Sequence, residues 1–185
     1  MNVRTPEIRW HFGPTGMNEA IMSVDTAPAR DKDVTVIATG GADKDVKLWT
    51  CSTATPADDE QNLAIEFVHN FSAHDRSVNT IRFSPDKHHL ASASDDATII
   101  VWSRVKTPMV EWEDVKADSD VLRKYLSCGH KGDIIDISWS PDSLYLCSTS
   151  VDNRVVIWHV SSGQIIQALE DHGQFVQVCT TPYQR

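Results

Sequence analysis

Residues 94–102 read Ser94-Asp95-Asp96-Ala97-Thr98-Ile99-Ile100-Val101-Trp102. The same pattern stands at Gly41-Ala42-Asp43-Lys44-Asp45-Val46-Lys47-Leu48-Trp49 and at Ser150-Val151-Asp152-Asn153-Arg154-Val155-Val156-Ile157-Trp158. Each copy puts an Asp six residues before a Trp, and a Thr or Ser (Thr39, Ser92, Ser148) four residues before that Asp. A second series lies upstream. His74 leads to Val78-Asn79-Thr80-Ile81-Arg82-Phe83-Ser84-Pro85-Asp86, and His130 leads to Ile134-Ile135-Asp136-Ile137-Ser138-Trp139-Ser140-Pro141-Asp142. The His-to-Ser spacing is 18 in both, Ser-to-Asp is 4 and Asp-to-Trp is 6. Two copies of a four-residue constellation at one spacing define an internal repeat, and a repeat organises a chain before local propensities do.

The period follows from these copies. Trp49 to Trp102 is 53 residues and Trp102 to Trp158 is 56, with His to Trp 28 in both complete copies. Trp158 to His172 is only 14, so the uninterrupted unit is 42 residues, within the roughly 40–45 of a four-stranded repeat unit. The intervals Trp49–His74 (25) and Trp102–His130 (28) exceed 14, and the excess is insertion. Runs rich in Val and Ile, broken by Ser-Pro-Asp and Asp-containing turns, predict four short strands per unit. They fall at 20–25, 34–39, 45–50 and 64–70, then 78–83, 89–93, 98–103 and 121–126, then 134–139, 144–149, 154–160 and 164–169.

The chain resembles WD40 repeats, with Leu48-Trp49, Val101-Trp102 and Ile157-Trp158 where that family has its Trp-Asp dipeptide. Thr50, Ser103 and His159 replace the Asp. The resemblance implies an all-β fold, a WD40 β-propeller that is incomplete. About three four-stranded blades plus the first strand of a fourth would form an open arc of a seven-bladed ring. Such a ring needs on the order of 300 residues, against 185 here. The expected blades are 19–71, 72–127 and 128–170, with 171–185 starting a fourth; in the family, a strand such as 5–12 completes the last blade. Thr180 stands where the inner strands have Phe83 or Trp139, so residues 181–185 read as a truncated or mis-spliced terminus. An arc with unpartnered edges is expected to fold poorly by itself.

His, Ser and Asp at fixed spacing could be read as a hydrolase triad. The constellation recurs in each repeat and ends in a Trp, which favours a structural relay instead. His bonds the Asp of a tight turn, the strand hydroxyl supports the His, and the indole N–H donates to the hydroxyl, so each buried polar group gains a partner. The relay residues are His74, Ser92, Asp96 and Trp102, then His130, Ser148, Asp152 and Trp158. The first unit supplies Thr39, Asp43 and Trp49 but has Met17 where the His would fall, so its relay is expected to be incomplete. Phe83 and Trp139 share an inner-strand position and are expected in the core. His88 and His89 flank a turn and are expected in solvent. Trp10 and Trp112 lie outside the repeat register; Trp112 is either a packing anchor or an exposed contact. No glycine-rich phosphate loop, metal-ligand spacing or paired carboxylates stand out, so no catalytic residue, metal or cofactor is expected.

Composition sets the outer limits. The 185 residues are 41% apolar and carry a net charge of −9, enough apolar content for a packed core. An acidic balance argues against duplex nucleic acid as a primary ligand, because phosphate binding needs clustered Lys and Arg, and it permits a basic partner. The N-terminus carries no apolar leader and no run approaches the roughly 20 residues of a membrane span. Cys51, Cys128, Cys147 and Cys179 form no C-x-x-C and read as free thiols of a reducing compartment.

A narrower resemblance rests on Glu7-Ile8-Arg9-Trp10-His11, Ile65-Glu66-Phe67-Val68-His69-Asn70, the block 78–85 and Ser150-Val151-Asp152-Asn153. These look like the WD-repeat subunit of chromatin assembly factor 1, over about residues 1–176. Ser94-Asp95-Asp96 and Val151-Asp152-Asn153 are also similar to HIR-type histone chaperones. The resemblance implies a non-enzymatic, nuclear scaffold in replication-coupled assembly of nucleosomes. Its implied partners are the large and small subunits of the complex and histones H3–H4, without sequence-specific nucleic-acid binding. A HIR-type subunit or a generic WD40 adaptor is the alternative. The family's contact with the anti-silencing chaperone lies in a C-terminal tail and is not carried over. Both insertions fall between the third and fourth strands, on one face of the ring. Asp58, Asp59 and Glu60 occupy the first, and Glu111, Glu113, Asp114, Asp118 and Asp120 the second, set against Lys116. They are either a landing site for a basic partner or two solvated loops.

Overall fold

The computed structural model describes residues 11–13, 16–29, 31–53, 63–72, 74–104, 110–127 and 129–177. Three antiparallel sheets each contain four strands in sequence order. The first holds β1 (Ile21–Pro28), β2 (Val34–Gly41), β3 (Asp45–Thr53) and β4 (Leu63–Ser72). The second holds β5 (Val78–Phe83), β6 (His89–Ser94), β7 (Ile99–Arg104) and β8 (Val121–Leu126). The third holds β9 (Ile134–Trp139), β10 (Tyr145–Ser150), β11 (Val155–His159) and β12 (Gln164–Leu169). The expected strands stand where the repeat puts them, with ends shifted. β3 and β4 run further into the first insertion than the sequence suggests. β10 begins one residue late because Leu144 belongs to the preceding turn, its N–H donating to Asp142 at 3.0 Å. Residues 171–177 form no strand. The rest of the expected fourth-blade strand lies outside the described residues, as does most of the expected strand 5–12.

The sheets stack as blades. Inner strand β1 lies against β5, and β5 against β9. Side chains alternate faces along a strand, and β7 shows the result. Ile100 and Trp102 join the cluster shared with the first blade, which includes Val36, Leu48 and Phe71. Ile99 and Val101 join the cluster shared with the third, which includes Ile137, Leu146 and Trp158. A strand covered on both faces reads as an unbroken apolar run, which is why Ile99-Ile100-Val101-Trp102 shows no polar alternation.

An inner strand pairs on one edge only, so its other edge presents unpaired donors. Side chains of the preceding blade meet them. Ile81 N–H donates to Ser23 Oγ at 3.2 Å and Phe83 N–H to Asp25 at 2.7 Å. Arg82 spans three blades, donating to Ser23 Oγ at 3.1 Å and to Asp136 at 3.3 Å. The indole of Trp139 returns a bond to the Arg82 carbonyl at 3.0 Å. The Ser-Pro-Asp turns repeat in detail. His89 N–H and Tyr145 N–H each donate to the turn serine, Ser84 or Ser140, at 2.9 Å. Lys87 and Ser143, the last residues of the two turns, both take φ of 61°.

The second insertion folds back onto this framework through two short 3-10 turns, Trp112–Asp114 and Asp118–Asp120. Trp112 is 2% exposed. Its ring meets Phe83 edge-on at 5.7 Å and its N–H donates to the Lys87 carbonyl at 2.8 Å. Of the two readings of Trp112, the structure selects the packing anchor. His89 departs from expectation. It is half-buried, stacked on Trp139 at 6.0 Å with its Nδ1 2.7 Å from Ser103 Oγ. His88 is exposed and accepts from Arg104 at 2.6 Å. Phe83 and Trp139 are buried as expected. Trp10 lies outside the described residues.

Truncating Trp112 removes a buried ring and leaves the Lys87 carbonyl unpaired. Trp112→Ala is expected to lower unfolding free energy by about 3–5 kcal/mol, measured by urea denaturation. A loss below about 1 kcal/mol would mean that the insertion does not hold the first two blades together.

Candidate functional site

The repeated His, hydroxyl, Asp and Trp positions converge in every blade. In the second, Trp102 N–H donates to Ser92 Oγ at 3.0 Å, and Ser92 Oγ lies 2.8 Å from His74 Nε2. His74 Nδ1 is 3.0 Å from Asp96. In the third, the corresponding distances are 2.9 Å for Trp158 to Ser148, 2.7 Å for Ser148 to His130 and 3.2 Å for His130 to Asp152. One proton arrangement satisfies each chain: the indole donates to the hydroxyl, the hydroxyl to Nε2 of a neutral imidazole, and Nδ1–H to the carboxylate. Ser92 and Ser148 are both 0% exposed, so their hydroxyls meet an indole and an imidazole rather than solvent.

The first blade corrects the sequence expectation. Met17 is exposed and takes no part. His11 fills the place instead, its Nδ1 2.7 Å from Asp43 and its Nε2 2.8 Å from Thr39 Oγ1, while Trp49 N–H donates to Thr39 at 2.9 Å. The reason is steric. Gly41 stands where the other blades have Ser94 and Ser150, and a Cβ there would come within 2.4 Å of His11 Nδ1. His11 thus occupies space that a side chain at 41 would claim, and a Gly at that repeat position is the sequence signal for it. Lys47, at the position of Ile100 and Val156, is buried and donates to Asp43 and, at 3.3 Å, to Asp45. This cation has no counterpart in the other blades.

Titration follows from these contacts. Burial alone would raise the Asp96 carboxyl, but bonds from His74, Thr98 and the Asp75 N–H outweigh it and hold it below the usual carboxylate range. Asp43 is likewise lowered, burial being outweighed by His11 and Lys47. Burial would raise Asp152 too, but the Lys131 N–H and His130 outweigh it and lower that carboxyl. Burial pushes His130 below the ordinary histidine value, more than Asp152 pulls it back.

The acidic insertions divide. Asp58, Asp59 and Glu60 lie outside the described residues. In the second insertion, Glu111 pairs with Arg104. Asp118 lies 2.9 Å from His69 and 2.8 Å from Arg123. Asp120 accepts the N–H groups of Lys116 and Ala117, each at 2.9 Å. Glu113 and Asp114 sit on the first 3-10 turn, and Asp114 N–H donates to the Glu111 carbonyl at 3.0 Å. Several of these carboxylates therefore hold the loop in shape. Among the described residues, no group of three or more His, Cys, Asp or Glu is placed to hold a metal ion. No described helix is long and apolar enough to cross a membrane.

Four-stranded blades stacked face to face, each with a buried His-hydroxyl-Trp chain, define an incomplete β-propeller of the WD-repeat class. Residues 1–185 match the family model described as the CAF1B/HIR1 beta-propeller domain, and the chain belongs to that family. It is 32% identical over 188 residues to the CAF1B-type subunit of chromatin assembly factor 1 from Gallus gallus, a match covering 97% of this chain and 31% of that protein. It is 33% identical over 175 residues to the chromatin assembly factor 1 subunit FAS2 homolog of Oryza sativa subsp. japonica, covering 94% and 30%. It is 33% identical over 154 residues to protein HIRA of Dictyostelium discoideum, covering 79% and 13%. The chain spans about a third of the length of the chromatin assembly factor relatives it matches.

Two measurements check the relay. His11→Ala is expected to cost about 1–3 kcal/mol, as His74→Ala does, because each leaves a buried hydroxyl and carboxylate short of a partner. Met17→Ala should stay within about 0.5 kcal/mol of the parent; equal effects at 11 and 17 would refute the assignment.

The pH profile is the second. With His130 lower in the fold than its ordinary value of 6.5, the unfolded chain binds its proton first. That stability is full above about pH 6.5 and falls as pH drops toward the folded value. The lowered Asp43, Asp96 and Asp152 contribute above their ordinary value of 3.8 and lose it as pH falls through their folded values. Urea midpoints should therefore decline in two stages on acidification. A flat profile from about pH 7.5 to about 5.5 would contradict the first.

Proposed function

We propose that this chain is the propeller of a chromatin assembly scaffold, acting without catalysis in replication-coupled deposition of histones H3–H4. The observation that carries the reading is its membership of the CAF1B/HIR1 propeller family. Matches to the animal chromatin assembly factor 1 relatives and their plant homolog span 94–97% of the chain. Matches to HIR-type proteins span 76–86% at similar identity, which makes a HIR-type subunit the second reading. The buried relays serve to hold the blades, and the chain offers surfaces rather than chemistry. Its partners are the large and small subunits of the assembly complex and H3–H4, and its location is the nucleus.

The test is affinity capture from nuclear extract with the full chain as bait. Recovery of the large chromatin assembly subunit with H3–H4 is expected. Recovery of a HIR-type complex instead would favour the second reading, and neither would overturn both. A variant with Asp58, Asp59, Glu60, Glu111, Glu113, Asp114, Asp118 and Asp120 neutralised resolves the acidic face. A salt-sensitive loss of binding to H3–H4 or to the large subunit marks a landing site, whereas unchanged affinity refutes it.

A further inference from the structure

The junction of the first two blades and that of the second and third are built alike, except in one respect. On the face carrying the Ser-Pro-Asp turns, the first junction is closed by Trp112. Its ring lies against Phe83, the last residue of β5, and its N–H is bonded to the carbonyl of Lys87, the last residue of the turn. Val115 and Val110 pack beside it. The second junction has the same turn, with Ser143 in the place of Lys87 at the same φ of 61°, and Trp139 in the place of Phe83. Here the third blade has no insertion. Its β11–β12 connection is a tight turn closed by Gly163 N–H on the His159 carbonyl at 2.8 Å. His89 stacks on Trp139 at 6.0 Å, but no described residue returns an indole to the Ser143 turn as Trp112 does to the Lys87 turn. A cleft of about 480 Å³ remains, floored by Val101, Leu122, Leu144 and Val160. That volume is within the roughly 300–1,000 Å³ of ligand clefts. Leu122 is 63% exposed and Leu144 50%, large apolar side chains lining one cleft with no cover among the described residues.

The rim has a sign. Asp86 and Asp142 line the cleft, and the Asp86 N–H donates to Ser143 Oγ at 3.1 Å, which ties the two turns together. Of the two cations that also line the cleft, Arg123 is paired with Asp118 at 2.8 Å, and Lys124 reaches across to the carbonyls of Val160, at 3.3 Å, and Ser161 on the opposite wall. Both carboxyls lie below their ordinary value. Burial would raise Asp86, but the Ser84 hydroxyl and His88 N–H outweigh it; Asp142 is lowered by the Ser140 hydroxyl and Leu144 N–H.

We propose that the cleft between the second and third blades docks a linear segment of a partner polypeptide that carries a tryptophan flanked by arginine or lysine. The indole would lie over Leu122, Leu144 and Val160 and donate to the Ser143 carbonyl, as Trp112 does to Lys87 within the chain. The flanking cations would meet Asp86 and Asp142. Tryptophan and arginine are the residues that dominate such anchored contacts. This goes beyond the scaffold function proposed above and does not depend on which complex the chain joins.

The probe is a short fluorescein-labelled peptide with one tryptophan between two arginines, titrated against the full chain by fluorescence anisotropy. Saturable binding is expected. It should weaken at least about tenfold when the peptide tryptophan becomes alanine, and severalfold when the arginines become glutamates or salt is raised. Leu144→Arg and Leu122→Arg, both at exposed positions, should each weaken it at least about tenfold with unchanged melting temperature. Absence of saturable binding, or binding indifferent to the peptide tryptophan or to both leucine variants, overturns the proposal. If the leucine variants instead convert a dimer to a monomer in sedimentation, the cleft belongs to a second copy and the proposal fails as well.

Discussion

A four-stranded antiparallel sheet has two faces and cannot cover both by itself. This constraint governs the molecule. The second blade satisfies it, with a neighbour on each side, and four successive residues of its third strand, Ile99 to Trp102, are all 1% exposed or less. The third blade satisfies it on one side, and Gln164 to Ala168 in its outermost strand are exposed. The inner-edge donors obey the same rule at the level of single groups. Ser23, Asp25 and Arg82 bond across blades because the open edge of an inner strand offers donors that only a neighbouring blade can meet. Apolar burial and edge satisfaction therefore act at the same junctions, so adjacent blades are joined by contacts that neither could supply from within its own sheet.

The relays act within blades rather than between them. Each ties the connection entering a blade to the tight turn between its second and third strands, through a hydroxyl on the second strand and a ring on the third. Their uniform distances, 2.7–2.8 Å from hydroxyl to imidazole in all three, show that the same geometry survives different sources for the histidine. In the first blade it comes from a segment that precedes β1 and turns back by the bridge of Phe12 with Asn18. In the other two it comes from the connection that follows the preceding blade. The added Lys47 compensates Asp43 in a way that aliphatic residues at 100 and 156 do not, so the first blade carries a more polar interior than its neighbours.

Much of this was legible in the residues. The strand positions follow from the 42-residue period, and four predicted strands, 78–83, 121–126, 134–139 and 164–169, match β5, β8, β9 and β12 end to end. The histidines at 74 and 130 follow from their shared spacing. His11 did not, because its separation from Thr39 is 28 residues rather than 18, and the fixed spacing counted back from Thr39 lands on Ile21, not on a histidine. The clue lay in Gly41, a missing side chain rather than a present one. His89 was misplaced because a histidine beside a turn is ordinarily wet, and only the neighbouring blade supplies Trp139 to stack on it. Trp112 stayed ambiguous because nothing in a loop's sequence says which junction it returns to. The residues missed are those whose partners sit on another blade or in a segment outside the repeat, where period and propensity carry no information.

Insertions in surface connections are ordinarily free to drift in length, since they touch little. The second insertion here is not. Trp112 and Val115 belong to the shared core of the first two blades and Val110 packs against it, so a deletion through them opens a cavity in that core. In evolutionary terms such a loop is expected to keep its anchor at residue 112 and to admit substitutions and length changes more readily away from it than at it.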